Sequence, residues 1–429
     1  MEKDEDQAMK GFDHAELRTH YDDIMGLIAR KEPTLAPDIL KVPVTDYTDR
    51  ARWEREVALL RTTPMMLALS SELPEPGSYW AMTRLGVPML LTRLKSGEAR
   101  LFINACRHRG ARVVEDGKGK EPRFTCIYHA WTYGLDGKLL ALPENRIFGD
   151  VDKSCYGLTE LAVEERAGLI WGVLTPGAPL DLDEYLGPQM TDLLAKCRLD
   201  RFQVVNQIEL PAANWKLAFE GYCESYHFIS LHAKSFGSFV IPNVLKFDSF
   251  NSHTQFLTPV LGIDGCDPSS TNDLKRYVQL AFTCFPTTFF AFASDTAFSS
   301  EREAGVEPVE RIFINQVLPG DSPETSITIS RTVVSTDFIG TPIEEETRHW
   351  SMMTHRTVRE EDYPVVQSTQ ATLLSGAQDH LTIGRNEIAI HHLHQMLRKA
   401  LGDELLGERG DHAPAVGHMA NVSPPMVNC

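Results

Sequence analysis

The sequence predicts an α+β protein in which a small all-β unit is set near the N-terminus of a larger mixed unit. Three observations predict this. Between residues 43 and 165, short apolar runs at 88–92, 100–103 and 123–127 are punctuated by Gly97, Gly110, Gly117, Gly119, Gly134 and Gly137, the pattern of strands joined by turns. From residue 166 onward strand-like and helix-like periods mix. Helical periodicity also marks both ends of the chain, at 15–31 and 385–401.

In chain order, the first helical stretch is closed by Pro33 and Pro37, which cannot continue a helix. Beyond the glycine-rich zone, 169–174 reads as a strand and 214–232 as largely helical. The runs 282–293, 309–317 and 326–334 are alternating or apolar and read as strands. After the amphipathic stretch 385–401, the segment beyond Gly407 is rich in Gly, Pro and His and is expected to be an extended tail. The expected division is 1–42 as an N-terminal helical segment on the larger domain, 43–165 as the all-β domain, 166–406 as the larger domain and 407–429 as the tail. At 429 residues the chain is long enough for two or three such cores.

Composition narrows the function classes. With 42% hydrophobic and 24% charged residues, the chain is ordinary for a globular enzyme. A formal charge of −17 opposes a nucleic-acid partner, whose phosphates demand a basic surface. The opening MEKDEDQAMK has no apolar core of the kind a secretory signal needs, and no run approaches the length of a membrane span. The expectation is a cytoplasmic protein. Its eight cysteines are scattered, which points to reduced thiols or metal ligands.

Two of those cysteines fall in a metal-ligand pattern. Cys106-Arg107-His108 is followed after 17 residues by Cys126-Ile127-Tyr128-His129. Two thiolates and two imidazoles in two close pairs suit a tetrahedral zinc site. They equally suit a [2Fe–2S] centre with Cys on one iron and His on the other, and the Cys/His order within each pair favours the cluster. A second constellation lies at 214–232, where Glu224, His227 and His232 follow Asn214-Trp215-Lys216. Residues three apart share a helix face, but two five apart diverge by about 140°. His227 and His232 can therefore meet one ion only if the helix ends or distorts near Ser230.

The flanks CRHRG and YHAWTY, the Asn-Trp-Lys triplet, the Glu224/His227/His232 spacing and the late segment Arg359-Glu360-Glu361-Asp362-Tyr363-Pro364 together resemble the alpha subunits of Rieske non-heme iron oxygenases. The resemblance spans about residues 43–401 and is dense in these motifs. It implies a helix-grip catalytic domain, with a long helix over a curved antiparallel sheet, into which an all-β Rieske domain is inserted. It implies a [2Fe–2S] cluster on Cys106, His108, Cys126 and His129. It further implies a mononuclear Fe(II) held by His227, His232 and Asp362, with Glu361 and Asp379 as the carboxylates most easily confused with Asp362. Two imidazoles and a carboxylate leave positions open for O2 and substrate. Glu224 would orient His227 and link it to a cluster histidine, His129 or His108, of a neighbouring subunit in a trimer.

The chain departs from the family pattern twice. Glu224 stands where Asp is usual, and is similar to the branch acting on quaternary ammonium compounds; Gly221 stands where Asn is frequent. Glu220 is left either to attract a cationic substrate or to solvate a helix face. No strand–GxGxxG–helix unit is present, so NAD(P)H must be oxidised on a separate flavin-dependent reductase, with or without a ferredoxin. Residues 84–123 hold ten Lys/Arg against four Asp/Glu, a candidate docking surface for an acidic carrier. The implied function is hydroxylation of an organic, aromatic substrate. The alternative is monooxygenation with demethylation of a methylated or quaternary ammonium compound. An electron carrier is ruled out by length, and a zinc-stabilised ligand-binding protein would lack a cluster's colour. The implied assembly is a homotrimer, or α3β3 with a small subunit.

Three further features are expected to be structural. His391, His392 and His394 are expected on a packed face of the last helix. Of Phe282, Phe285, Phe289, Phe290 and Phe292, some should fill the core and one or two line a pocket over the iron. Cys155, Cys197, Cys223, Cys266, Cys284 and Cys429 have no metal spacing and read as packing residues.

Overall fold

The structure is a computed structural model and describes residues 11–235, 237, 239–293 and 309–407. The proposed tail lies outside the described residues from position 408 onward.

The glycine-rich zone forms short antiparallel strands, as its turn spacing predicts. A five-stranded sheet runs in the order Glu160–Leu161, Ala99–Ile103, Val87–Arg93, Ser78–Arg84, Gly117–Lys120. Beside it stand a three-stranded meander of Arg123–Thr125, Thr132–Gly134 and Leu139–Ala141, and a second three-stranded sheet of Val163–Arg166, Leu169–Gly172 and Met65–Leu69. Phe102, Val113, Phe124, Trp131, Tyr133 and Leu139 form the core between the meander and the larger sheet.

The larger unit is built on a seven-stranded antiparallel sheet. Its order is Phe202–Ala212, Ser326–Ser335, Arg311–Pro319, Thr288–Ala293, Val278–Cys284, His253–Pro259, Lys246–Phe250. The run 282–293 is thus two strands rather than one, because Phe285-Pro286 interrupts the ladder where proline has no N–H to donate. A long helical run, Pro342–Thr357 and Tyr363–Leu373 joined by a π turn over Val358–Asp362, lies across the sheet. It is tied to Phe202–Ala212 and Ser326–Ser335 through Asn206–Ser351 (3.0 Å), Thr332–Ser351 (2.7 Å) and Ser330–His355 (2.9 Å). The two units share a core in which Met65, Leu67, Trp80 and Met89 meet Leu318 and Ile329.

The N-terminal helix, His14–Arg30, is capped by Asp13 and buries Leu17 and Ile24 against the larger unit. The last helix, Ile388–Leu401, buries Ile390, Leu393, His394 and Leu397, a regular three-to-four-residue stripe. Helix Arg50–Thr62, which the sequence reading placed in the all-β domain, is instead tied to this C-terminal region by Arg52–Asp403 (2.7 Å), while Arg398 reaches Asp46 (2.8 Å). The reason is a buried network that no local period reveals. Glu56 accepts from Lys216 Nζ (2.5 Å), Trp215 Nε1 (2.9 Å) and Arg52 Nε (3.1 Å), and both Glu56 and Lys216 are shut off from solvent. Removing one member of a buried ion pair strands the other charge. Glu56→Ala is therefore expected to cost roughly 3–5 kcal/mol of stability, measured as a lowered urea midpoint at unchanged m. A loss under about 1 kcal/mol would show that Lys216 and Arg52 find other partners.

Candidate metal centres and cavity

The two Cys/His pairs sit on loops of the same shape. In the first, the Cys106 N–H donates to Ala111 O (2.7 Å) and Gly110 N–H donates to Cys106 O (2.8 Å). In the second, Cys126 N–H donates to Trp131 O (2.9 Å) and Ala130 N–H to Cys126 O (2.9 Å). The fifth residue of each loop is left-handed, Gly110 at φ 78° and Ala130 at φ 55°. Glycine takes that conformation freely, whereas alanine pays roughly 1–2 kcal/mol. Both cysteines are buried, and both histidines are half-buried with ring centroids 4.5 Å apart. His108 lies parallel to Trp131 at 5.0 Å. Burial, opposed by the Tyr128 N–H and reinforced by the neighbouring Cys106, pushes the Cys126 thiol up. The Tyr133 hydroxyl stands 3.3 Å from Cys106 Sγ and accepts the Arg107 N–H (3.0 Å). Two thiols and two imidazoles brought together in this way fit a cluster with one Cys and one His from each loop.

The expected long helix over 214–232 is not formed. Only Trp215–Glu220 is α-helical; a 3₁₀ turn follows at Tyr226–Ile229. The change of course begins after Glu220, and the Glu224 carboxylate secures it by accepting the backbone N–H groups of Tyr226 and His227 (the latter at 3.2 Å). The break is what lets residues five apart converge. At the other end of the segment Asn214 caps the short helix. Its side chain accepts from Lys216 N–H (2.9 Å) and donates to Tyr47 O (2.8 Å) and Pro323 O (2.7 Å).

His227, His232 and Asp362 form the one group of three donors among the described residues close enough to share a single ion, with donor atoms within 4.8 Å of one another. Asp362 Oδ1 lies 3.1 Å from His232 Nε2 and 3.5 Å from His227 Nε2. Adjacent ligands at bonds of about 2.1 Å and right angles stand about 3 Å apart, so the spacing fits one ion. The far side of each ring is held too: His227 Nδ1 by Glu224, His232 Nδ1 by Glu361 at 2.8 Å. Each carboxylate accepts the Nδ1 proton, which turns Nε2 towards Asp362. The π turn presents Glu361 and Asp362 to the same imidazole, so the two acids divide the roles. Asp379 is on the surface beside His380 and does not reach the group. Burial works against a charged His227, but hydrogen bonds to Asp362 and Glu224 outweigh it and raise its pKa to about 9.

These residues open on a cavity of about 470 Å³. Its walls are mainly apolar, including Leu217, Phe228, Phe256, Phe289, Phe292 and Phe313. Phe282 and Phe290 instead stack at 4.6 Å in the sheet core, and Phe285 is buried beneath. Glu220 is neither a solvated surface acid nor unpaired. It accepts from Tyr47 OH (2.8 Å) and from His394 Nε2 (2.8 Å), with its remaining surface on the cavity. His391 bonds Gly384 O (2.9 Å), so the last-helix histidines share no metal geometry. Cys197, Cys223, Cys266 and Cys284 are buried; Cys155 is half-buried, and Cys429 lies outside the described residues.

Comparison with known proteins identifies the two domains that carry these residues. Residues 63–152 match the Rieske [2Fe-2S] domain, and residues 199–403 match the ring hydroxylating alpha subunit (catalytic domain). The chain thus combines a Rieske [2Fe-2S] domain with a ring-hydroxylating alpha-subunit catalytic domain. It is 32% identical over 213 residues to the biphenyl 2,3-dioxygenase alpha subunit of Rhodococcus jostii, covering 48% of this chain and 44% of that one. It is also 32% identical over 177 residues to the glycine betaine monooxygenase oxygenase subunit of Chromohalobacter salexigens, covering 41% and 39%. The matched stretches thus span under half the length of these relatives. Among solved structures, the quaternary ammonium Rieske monooxygenase CntA with L-carnitine superposes at a TM-score of 0.70 with 22% identity, over 86% of this chain and 97% of CntA. Naphthalene 1,2-dioxygenase from Rhodococcus sp. gives 0.65 at 21%, over 86% and 89%. At such identity these likenesses establish the fold: a Rieske domain within a larger domain of helices and antiparallel sheet.

The Rieske part carries the basic stretch expected as a docking surface. Of its ten basic residues in 84–123, Arg84, Arg93, Arg100, Arg112, Lys118 and Lys120 are engaged by acids. What stands out around the cluster loops is apolar: Ile127 is 85% exposed and Ile147 76%, with Tyr128 and Phe148 about half exposed. No helix among the described residues is long and apolar enough to cross a membrane.

Sequence reasoning missed Glu56, Tyr47, Glu387 and the polar wall Asn315, Ser330 and His355. For Asn315 a signal existed, the amide pair Asn315-Gln316 inside the otherwise apolar stretch 312–317.

Proposed function

We propose that this chain is the oxygenase component of a multicomponent system that uses O2 and NAD(P)H-derived electrons to hydroxylate an organic, aromatic substrate. A single observation carries the reading: three metal donors converge at the mouth of an apolar cavity in a chain that also pairs two Cys/His loops. Cys106, His108, Cys126 and His129 would hold the [2Fe–2S] cluster, and His227, His232 and Asp362 the Fe(II). Bound there, the cluster relays single electrons and the ferrous ion supplies the site of O2 reduction. The chain's own residues do the rest. Glu224 and Glu361 keep the Nδ1 protons and fix both ring orientations, while the phenylalanine walls exclude water and seat a planar substrate.

Electrons would come from a separate reductase or ferredoxin. The exposed Ile127, Tyr128, Ile147 and Phe148 favour an apolar docking face at the cluster loops, and exposed Tyr226 and Ile229 beside Glu224 offer a complementary one. That pairing supports a head-to-tail homotrimer in which Glu224 joins His227 to a neighbour's cluster histidine. A second reading, monooxygenation with demethylation of a methylated or quaternary ammonium compound, is favoured by the carboxylates Glu220, Glu224 and Glu387 on the cavity. Anaerobic purification with iron, a reductase, a substrate panel and ¹⁸O2 tests both. Two labelled oxygens in a cis-diol product support the first, a demethylated product with one labelled oxygen released in formaldehyde the second, and no product from any substrate counts against both.

Glu224 is separable from metal binding. Glu224→Gln keeps an acceptor for His227 and loses the charge. It is expected to retain both metal centres and the oligomer, while oxidation of the pre-reduced cluster slows by roughly 10–100-fold in a single turnover with substrate and O2. Glu224→Asp should recover part of the rate. A wild-type rate in Glu224→Gln would leave Glu224 a turn-capping acid only.

A further inference from the structure

Away from the metal donors, Asn315, Ser330 and His355 form a polar stretch of the cavity wall whose hydrogen-bond directions can be worked out. Asn315 lies on Arg311–Pro319, where alternation turns Phe313 and Asn315 to the cavity and Ile312 and Ile314 to the core. Ser330 Oγ–H donates to Asn315 Oδ1 at 2.6 Å. Ser330 has one proton, so at 2.9 Å from His355 it must accept from Nε2–H. His355 Nδ1 is then an acceptor, facing Ser351 Oγ at 3.4 Å. Burial holds this ring neutral, its pKa lowered to about 4. Ser351 Oγ accepts in turn from Asn206 Nδ2–H (3.0 Å) and shares a hydrogen bond with Thr332 Oγ1 (2.7 Å).

Every link of this chain is satisfied but the last. Asn315 is 7% exposed, and its Nδ2 donors have no partner among the described residues. The Nδ2 atom is not sealed within the protein, so its N–H groups reach the cavity and are open to an acceptor bound there. The charges around the cavity restrict what that acceptor is. Among the described residues no Lys or Arg lines the cavity, whereas Glu220, Glu224, Asp362 and Glu387 do. An anionic acceptor would face four carboxylates with no Lys or Arg side chain on the described wall to pair with it.

We propose that Asn315 is a specificity-determining residue, whose amide N–H receives a neutral oxygen acceptor, a carbonyl, hydroxyl or ether, on an otherwise apolar substrate. The inference rests on reading the cavity as the substrate site, and its test is binding rather than turnover. The anaerobic, iron-loaded protein is titrated calorimetrically with acetophenone, its hydrocarbon isostere α-methylstyrene, benzoate and 1-phenylethylammonium. The affinity ratio of acetophenone to α-methylstyrene is expected to fall about fivefold in Asn315→Ala, with α-methylstyrene affinity within about twofold of wild type and benzoate the weakest wild-type ligand. An unchanged ratio, or benzoate or the ammonium ligand binding wild type more tightly than acetophenone, would overturn the assignment of Asn315. If none of the four binds, the failure belongs to the cavity as substrate site, and the proposal falls with it. A readout that needs no variant is the infrared carbonyl stretch of bound acetophenone. It is expected below its value in an apolar solvent; a stretch at that value excludes the hydrogen bond.

Discussion

Asp362→Ala, His227→Ala and His232→Ala are each expected to lose Fe(II) and all product formation, with the visible spectrum of the cluster unchanged. The expectation follows from geometry. Asp362 Oδ1 is the atom both Nε2 nitrogens face, at 3.1 and 3.5 Å, so removing it takes away the one anionic donor between two neutral ones. In the metal-free protein the same three groups share protons. Hydrogen bonds to Asp362 and Glu224 raise His227 to about 9, and Asp362 is lowered by the two imidazoles against the cost of its burial. Fe(II) must displace the His227 proton, so affinity of the apoprotein should climb as pH rises from about 7 and level off near 9. Iron content by absorbance of a ferrous chelate checks both statements. If Asp362→Ala keeps its iron and turns over, the third ligand is elsewhere, and Glu361, already on the other edge of His232, is the residue to change next.

The second large effect is expected at the other centre. His108→Ala or Cys126→Ala should abolish the reduced-state EPR signal of the Rieske cluster and all NAD(P)H-driven turnover, while the mononuclear site still takes up Fe(II). The reasoning is that each loop contributes one thiol and one imidazole, so losing either type leaves an iron short of a ligand. The loops are held by their own backbone bonds, Cys106 N–H to Ala111 O and Cys126 N–H to Trp131 O; the core beneath them leaves out the histidine rings, and Cys126→Ala removes one small thiol from it while leaving its aromatic members in place. The variants should therefore fold. An intact EPR signal in either purified variant would overturn the ligand assignment.

Much of the architecture was legible because it repeats locally. The strands at Val87–Arg93, Ala99–Ile103 and Ser326–Ser335 and the helices His14–Arg30 and Ile388–Leu401 all follow from short-range apolar periods and the glycines and prolines between them. The expected helix over 214–232 was not formed, since nothing in its composition shows that the Glu224 carboxylate will take the Tyr226 and His227 N–H groups. The same holds for Glu220, which reads as a helix-face acid and is in fact bonded to Tyr47 and His394, residues 173 and 174 positions away.

By itself, the sequence determined the kind of chemistry: the Cys/His loops and the Glu-x2-His-x4-His run name their donors by residue type, and donor type limits which metals can bind. The sequence resemblance already pointed to Asp362; only the tertiary structure gives the physical basis for separating it from its neighbour, because a π turn points Glu361 and Asp362 at opposite edges of His232. It also decided what the cavity can hold. Asn315, Ser330 and His355 come from two strands and a helix, and the free amide they leave depends on hydrogen-bond directions that exist only once those elements pack.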